Sequence, residues 1–171
     1  QLAVLRGASR IAGTSSSAAK LERLQGMGLS LPICDPYQGF VDALREHTGG
    51  QGVDVVVDNV GGRLLNDTLL CTAIGGTIVN VGRLGGIEAS IDLNLHALRR
   101  IRLLGATFRT RSIEEHARVI RDFWDDHGSQ LADGTLAPLI DSVFQFDELP
   151  AAIHRSLSRE QLGKIVLEVQ R

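Results

Sequence analysis

The sequence predicts a doubly wound α/β fold. Apolar segments of strand length alternate along the chain with segments whose apolar residues recur at helical spacing. Two of the predicted strands, in VDVVVDNV and GTIVNVG, are continuously apolar, as expected when helices cover both faces of a parallel sheet. The composition, 43% hydrophobic with 19 glycines and only 4% aromatic residues, is typical of a turn-rich α/β protein. Strict alternation of strand and helix therefore indicates a parallel, doubly wound sheet.

The predicted elements follow one another in a regular order. QLAVLRGAS at the start is typical of the end of a helix that stops at Gly7. Strands are predicted at residues 9–14, 31–34, 53–58, 77–81 and 103–108. Helices are predicted at residues 16–27, 39–48, 64–73, 113–126 and 148–157. The apolar stretches LIDSVFQF and GKIVLEV flank the last helix, and they either extend this sheet or pair with a part of the protein outside this chain.

Composition and charge exclude several classes of partner. With a formal net charge of −2, the chain has no excess of positive charge to neutralise the phosphates of a nucleic acid or of a membrane surface. No apolar run approaches the roughly 20 residues of a membrane span, and the N-terminus does not have the pattern of a secretory signal. Cys34 and Cys71 are far apart and lack metal-ligand spacing. We therefore expect no metal site and a reducing, cytoplasmic location.

The stretch GTSSSAAKL, residues 13–21, forms the first of four loops at predicted strand ends, where open α/β sheets bind their ligands. In dinucleotide-binding folds an acidic residue in this loop binds the ribose hydroxyls of NAD, and here no acid is present. Serine hydroxyls, the N–H groups of a helix start and Lys20 would instead suit a phosphate. The alternative is a serine-capped helix with a solvated lysine.

The other three loops carry weaker signals. DNVGG (58–62) and NVGRLGG (80–86) are rich in glycine, which either admits a flat ligand close to the backbone or simply makes turns. TFRTR (107–111) places two arginines after a strand, where they are either solvated or bind a ligand. No nucleophile motif, zinc motif or Schiff-base lysine is present, so no catalytic acid or base is assigned. We expect all five histidines on the surface: His47, His96, His116, His127 and His154.

Four segments together resemble a known family. QLAVLRGASRIAGTSSSAAKLERL, TGGQGVDVVVDNVGG, IGGTIVNVG and LGKIVLEV resemble, in order and content, the nucleotide-binding half of the medium-chain dehydrogenase/reductase superfamily. The zinc-independent, quinone oxidoreductase-like branch is the most similar part of that superfamily. The resemblance covers nearly the whole chain and implies a Rossmann-type domain that binds NADP(H) in preference to NAD(H).

The resemblance also implies cofactor-binding residues. Ser15 occupies the position of the NAD-selecting acid, and Ser16 and Lys20 face the adenosine 2′-phosphate of NADP. Asn59 and Val60 border the adenine or its ribose. The remaining positions are Gly82, Arg83 and the backbone around Phe108 near the nicotinamide, and Lys164 near the cofactor phosphates.

The same resemblance implies parts that lie outside this chain. It identifies residues 1–171 as a truncated dinucleotide-binding domain, in which about 138–171 belong either to it or to the absent catalytic domain. The first strand and its glycine-rich loop are then also absent. In the order 3-2-1-4-5-6 that strand lies mid-sheet, so a gap is expected there. The implied enzyme transfers hydride to a quinone, enone or related carbonyl compound bound with the absent domain. We expect the chain alone to be inactive, and a homodimer through residues 100–108.

Two alternatives from other classes remain open. An S-adenosylmethionine-dependent methyltransferase is also doubly wound, although that class usually has an acidic residue where this chain has Ser15. A non-catalytic domain that uses the fold for nucleotide binding or assembly is the second alternative. Preferential binding of S-adenosylmethionine would favour the first, and oligomerisation without dinucleotide binding would favour the second.

Overall fold

The computed structural model describes residues 1–34 and 39–169. The chain forms two compact units. The first unit consists of residues 1 and 3–117, and the second of residue 2 and the chain from residue 118 onward. Both have an α/β architecture with parallel strands.

Five strands and five short helices alternate in the first part of the chain. The strands are β1 (Ala12–Ser15), β2 (Leu31–Cys34), β3 (Val53–Asp58), β4 (Thr72–Asn80) and β5 (Arg102–Gly105). The helices are α1 (Leu2–Leu5), α2 (Ala18–Gln25), α3 (Phe40–His47), α4 (Leu65–Cys71) and α5 (Leu93–Arg99), and a 3-10 turn at Gly62–Leu64 precedes α4. The predicted doubly wound α/β alternation is therefore confirmed.

The five strands form two parallel sheets rather than one. β1 pairs with β2, and β3, β4 and β5 form a second sheet in that order. Within the described residues, β1 pairs only with β2, and β3 has a partner only on its β4 side. The division falls between β1 and β3, where the expected order places the absent strand. The predicted gap in the sheet is thus confirmed.

Apolar packing in the first unit forms two clusters. Ile33 of β2 packs with Phe40 and Leu44 of α3 and with Leu64 and Cys71 next to and within α4. The second cluster joins Leu69, Ile78 and Ile101, with Val56, Ile91 and Leu95 packed against it. On the opposite face of β3, Val55 and Val57 are exposed. The three-stranded sheet is therefore buried on the face that α4 and α5 cover.

Several element boundaries differ from those predicted. β4 begins at Thr72, not at residue 77, because Thr72 already pairs with Val53 across a register shift. Helix α5 was not predicted, although Asp92 caps it by accepting the N–H of Leu95. β5 ends at Gly105, so Phe108 lies beyond the strand rather than in it.

The second part of the chain contains α6 (Ile113–Ala132), β6 (Ile140–Gln145), α7 (Leu149–Leu157) and β7 (Lys164–Glu168). Helix α6 continues past its predicted end at residue 126, and the Trp124 ring packs over Gly128 within it. β6 and β7 pair with each other in parallel, with α7 between them in the chain. Neither proposed arrangement of the C-terminal strands describes this pairing, because each strand finds its partner within the unit.

Among the described residues, no helix is long and apolar enough to cross a membrane.

The surface prediction for the histidines is wrong for His127. This residue is buried on α6, where its ring packs against Phe123 at a centroid distance of 5.4 Å. The prediction failed because it considered only the polar residues that flank His127 in sequence, whereas Phe123, one helical turn away, covers the ring.

Candidate functional site

The carboxyl ends of the three strands in the larger sheet form a row. Asp58 of β3 is in register with Asn80 of β4, and Asn80 with Gly105 of β5. Parallel pairing brings these strand ends to the same edge of the sheet, where α/β proteins bind ligands. Each strand is continued by a loop whose first residues lie at this edge.

Asp58 holds two of these loops together. We call residues 58–62 the Asp58 loop and residues 80–86 the Gly82 loop. The Asp58 Oδ1 atom accepts the N–H groups of Val60 and Gly61, each at 2.9 Å. The Asp58 carbonyl oxygen accepts the N–H groups of Val81 at 2.8 Å and Gly82 at 3.1 Å. One residue therefore fixes the backbone course of both loops.

The glycines of the two loops permit a close backbone approach. A Cβ atom on Gly82 would collide with the carbonyl oxygen of Asn59. A Cβ atom on Gly62, whose φ is +58°, would lie 2.5 Å from the carbonyl oxygen of Gly85. The N–H of Gly85 also donates to the Val60 carbonyl oxygen at 2.7 Å. These glycines thus serve the packing of one loop on the other.

A cavity of about 300 Å³ opens beside these loops. Asp58, Asn80 and Gly105 contribute to its wall from the strand ends. Arg83 and Glu88 add charged groups, and the apolar part consists of Leu65, Ile87, Ala89, Leu103 and Leu104. A cavity of this size that combines apolar walls with a few polar groups suits a small-molecule ligand.

The serine-rich loop follows β1. Ser17 is the N-cap of α2, and its hydroxyl oxygen accepts the N–H of Lys20 at 3.4 Å. The Ser15 hydroxyl oxygen accepts the N–H of Ser17 at 3.1 Å. Ser16 is exposed, whereas Lys20 is half-buried. The serine-capped helix is therefore present, and each capping hydroxyl still has its own O–H to donate.

The residues after β5 form a tight turn around Phe108. The Phe108 carbonyl oxygen lies 2.9 Å from Nε2 of His116 and accepts the N–H of Arg111 at 3.2 Å. The Phe108 ring meets the His116 ring edge to face, and the Arg111 guanidinium lies 5.7 Å from its centre. His116 is half-buried, so its contacts fix the backbone of the predicted Phe108 position.

The predicted site residues occupy several places. Ser15, Ser16 and Lys20 lie at the carboxyl end of β1, and Lys164 begins β7 in the second unit. The two glycine-containing loops bring together Asn59, Val60, Gly82 and Arg83, and of these Arg83 lines the cavity.

Asp58 and Asn80 were missed as lining residues. The available signal was that each is the polar last residue of an apolar parallel strand.

Among the described residues, no group of three or more His, Cys, Asp or Glu side chains is placed to hold a metal ion.

Comparison with known proteins identifies relatives across most of the chain. This chain is 26% identical over 157 residues to the quinone oxidoreductase-like protein 2 homolog of Nematostella vectensis. The aligned part covers 91% of this chain and 43% of the relative. This chain is also 30% identical over 161 residues to a 2-haloacrylate reductase of Burkholderia sp. That alignment covers 92% of this chain and 47% of the reductase. A solved NAD-dependent alcohol dehydrogenase matches with a TM-score of 0.78 and 27% identity, over 99% of this chain and 46% of that one.

The chain spans less than half the length of each of these proteins. The model of the zinc-binding dehydrogenase family matches residues 1–124, most of the chain. The resemblance to the medium-chain dehydrogenase/reductase superfamily and its quinone oxidoreductase-like members is confirmed, and neither the methyltransferase nor the non-catalytic alternative is favoured. The family consists of oxidoreductases that use nicotinamide cofactors. The chain belongs to the zinc-binding dehydrogenase family.

Proposed function

We propose that this chain is the cofactor-binding portion of an NADP(H)-dependent oxidoreductase that reduces quinones, enones or related carbonyl compounds. The observation that carries this proposal is the end of β1, where Ser15 and Ser16 lie at the position at which an acid would select NAD, and Lys20 follows in the first turn of α2. An acid there would accept both ribose hydroxyls and repel a 2′-phosphate. Hydroxyl donors and a cation favour the phosphate.

The geometry of this loop fits a phosphate. Ser15 and Ser17 each accept a backbone N–H, which orients their oxygens and leaves their O–H groups as donors. Lys20 is in the first turn of α2, where the positive end of the helix dipole adds to its own charge. The serine O–H groups, the lysine side chain and the N-terminal end of α2 therefore all present positive charge, which favours a bound phosphate.

The strand ends of the larger sheet fit the nicotinamide end of the cofactor. The cavity has apolar walls on β5 and polar groups from Asp58, Asn80 and Arg83. Asn59, Val60, Gly82 and Phe108 keep the cofactor roles expected for them, as does Lys164 in the second unit. When bound, the dihydronicotinamide supplies a hydride to an electrophilic carbon. This chain's contribution is to hold the ring and keep water from it.

The proposed function also includes where the substrate binds and how two copies of the protein associate. The chain alone is inactive, because the substrate cleft belongs to the catalytic domain of the complete protein. A homodimer forms through residues 100–108, where β5 is an exposed edge strand with Leu103 and Leu104 accessible. Such an edge offers backbone N–H and C=O groups for pairing with a second copy.

Steady-state kinetics of the complete protein test this function. NADPH oxidation is followed by its absorbance with a quinone and with an enone as acceptor, and NADH is compared at equal concentration. We expect turnover with at least one acceptor and a higher kcat/KM for NADPH. A higher kcat/KM for NADH would refute the cofactor preference, and oxidation of neither cofactor with either acceptor would refute the proposed reaction.

A further inference from the structure

The turn between α6 and β6 contains the only Asp-Gly pair of the sequence, Asp133-Gly134. Both residues are exposed and lie outside the helices and strands. Gly134 has a φ of +80°, and no heavy atom beyond its chain neighbours lies within 4 Å of the position that a Cβ atom would take. Among the described residues, the backbone N–H of Gly134 has no acceptor. The peptide nitrogen after Asp133 is therefore accessible and not hydrogen-bonded within this part of the chain.

The Asp133 carboxyl group is held over the backbone that follows it. Its Oδ1 atom accepts the N–H of Thr135 at 2.8 Å, which forms an Asx turn. The N–H of Asp133 donates to the carbonyl oxygen of Ser129 at 3.0 Å, so the residue is also anchored to the end of α6. Because Thr135 comes directly after Gly134, the Asx turn keeps the Asp133 Cγ atom near the Gly134 nitrogen.

A carboxyl group in this position can react with the next peptide nitrogen to give a cyclic imide. The Gly134 nitrogen bonds to Cγ of Asp133 and gives up its proton, and one carboxyl oxygen leaves as water. Water then opens the ring again. Attack at Cγ restores the original peptide, whereas attack at the main-chain carbonyl carbon leaves the chain running through the side chain, as isoaspartate. The water lost in the first step returns in the second, so no oxidant or reductant takes part.

We propose that Asp133-Gly134 is a site of spontaneous isomerisation to isoaspartate in the folded protein. The site is separate from the cofactor-binding residues and does not depend on the proposed function. Isoaspartate adds one main-chain carbon to the turn and removes the carboxyl group that accepts the N–H of Thr135. Directly after it, buried Leu136 donates its N–H to the Gln130 carbonyl oxygen at 2.8 Å. The modification therefore loosens the connection between the end of α6 and β6.

Asp141-Ser142 provides an internal control. Asp141 is also exposed to attack from a small neighbour in sequence, but its carboxyl group is held elsewhere. Arg155 donates to both Asp141 oxygens, and the N–H of Leu162 donates to Oδ1. The Asp141 carboxyl group is thus not free to turn toward the Ser142 nitrogen, and we expect it to stay unmodified.

Mild acid should accelerate the reaction at Asp133. The carboxyl oxygen leaves as water from the protonated acid, not from the carboxylate. Hydrogen bonds from the Thr135 side chain and then from its backbone N–H hold the pKa of Asp133 below its usual value. At neutral pH the group is therefore a carboxylate, and the reactive form becomes more abundant as the pH falls from 7 to 5.

Incubation of the complete protein at pH 5 and at pH 7 tests the inference. Trypsin releases residues 122–155 as one peptide, and electron-transfer fragmentation locates isoaspartate within it. We expect at least fivefold more isoaspartate at Asp133 than at Asp141, and more at pH 5 than at pH 7. Circular dichroism recorded during the incubation verifies that the protein stays folded.

Two variants test the chemistry, with methyl transfer by an isoaspartyl carboxyl methyltransferase as the readout. Asp133→Glu extends the side chain by one carbon, which disfavours ring closure, and should abolish the methyl transfer that develops in the wild type. Asp133→Asn forms the same imide with loss of ammonia and should develop it faster than the wild type at pH 7.

Three results would overturn the proposal. The first is the absence of isoaspartate at Asp133 after incubation of the wild type at pH 5. The second is equal isoaspartate at Asp133 and Asp141, because that pattern reports general unfolding rather than a reactive turn. The third is methyl transfer to Asp133→Glu at the wild-type level, which would place the modified residue elsewhere in the protein.

Discussion

Gly62 and Gly85 meet backbone to backbone, so closely that a Cβ atom on Gly62 would lie 2.5 Å from the Gly85 carbonyl oxygen. Gly62 also has a φ of +58°, which disfavours any residue with a Cβ. The contact locks the Asp58 loop against the Gly82 loop beside the cavity. The glycines of DNVGG and GRLGG are therefore required by the fold before any ligand is considered.

Gly62→Ala should be strongly destabilising for this reason. The left-handed backbone costs roughly 1–2 kcal/mol for a residue with a Cβ, and the backbone clash adds about 1–3 kcal/mol. We expect the free energy of unfolding, measured by urea denaturation, to fall by about 2–5 kcal/mol. Gly26→Ala is the control, because Gly26 has a helical φ and open space. Equal stabilities of the two variants would contradict the loop contact.

Asp141 and Arg155 should make the second unit sensitive to acid. Nε and Nη2 of Arg155 donate to the two Asp141 oxygens, each at 2.9 Å, and the N–H of Leu162 donates to Asp141 Oδ1. The hydrogen bonds from Arg155, followed by the one from Leu162, hold the pKa of Asp141 well below its usual range. The stabilisation is thus complete above about pH 4, the pKa of an aspartate in an unfolded chain, and is lost as the pH falls toward the folded-state value.

Asp141→Asn tests this pH dependence. We expect a lower melting temperature than wild type at pH 7, and a difference that shrinks as the pH is lowered below 4. Glu160→Gln serves as the comparison, since Glu160 also contacts Arg155 but is exposed. A difference between Asp141→Asn and wild type that stayed constant from pH 7 to pH 2 would show that the ion pair does not set the acid response.

The two cysteines should react with alkylating reagents at very different rates. Burial, the dominant cause, raises the pKa of Cys71 to about 11, and Cys71 is 1% exposed. At pH 8 only about one thiol in a thousand would then be ionised. Cys34 is exposed. We expect iodoacetamide to label one thiol per folded chain and Cys34→Ser to abolish that labelling, as mass spectrometry would show. Rapid labelling of two thiols would contradict the buried environment of Cys71.

The proposed dimer through residues 100–108 makes a prediction about mass in solution. Leu104→Arg places a charge on the β5 edge, and we expect it to convert the dimer to a monomer by light scattering. Leu98→Arg is the matched control, because Leu98 is exposed on α5 outside that segment. A monomeric wild type, or a Leu104→Arg variant that stays dimeric, would refute this interface.

Local sequence signals predicted much of the fold. β2 and β3 have the predicted bounds, because each is a short apolar run between turn-forming residues. The start of β4 was missed because the pairing of Thr72 with Val53 is a long-range contact. The pairing of β6 with β7 was missed for the same reason, since apolar content does not specify a partner strand.

The candidate site was only partly predictable. Its glycine loops could be located from sequence, and so could the serine cap of α2. The involvement of Asp58 and Asn80 depends on strand register, which aligns the last residues of β3 and β4.

The affinity of the complete protein for NADPH and for NADH, in wild type and in Lys20→Ala, tests whether the end of β1 binds the 2′-phosphate. A charge-assisted hydrogen bond contributes about 1.5–3 kcal/mol, so we expect the substitution to weaken NADPH binding about 10- to 150-fold and to leave NADH binding unchanged. Arg23→Ala, an exposed cation in the last turn of the same helix, should change neither affinity. Tighter binding of NADH than of NADPH by the wild type, or equal losses for both cofactors in Lys20→Ala, would contradict a 2′-phosphate site at the end of β1.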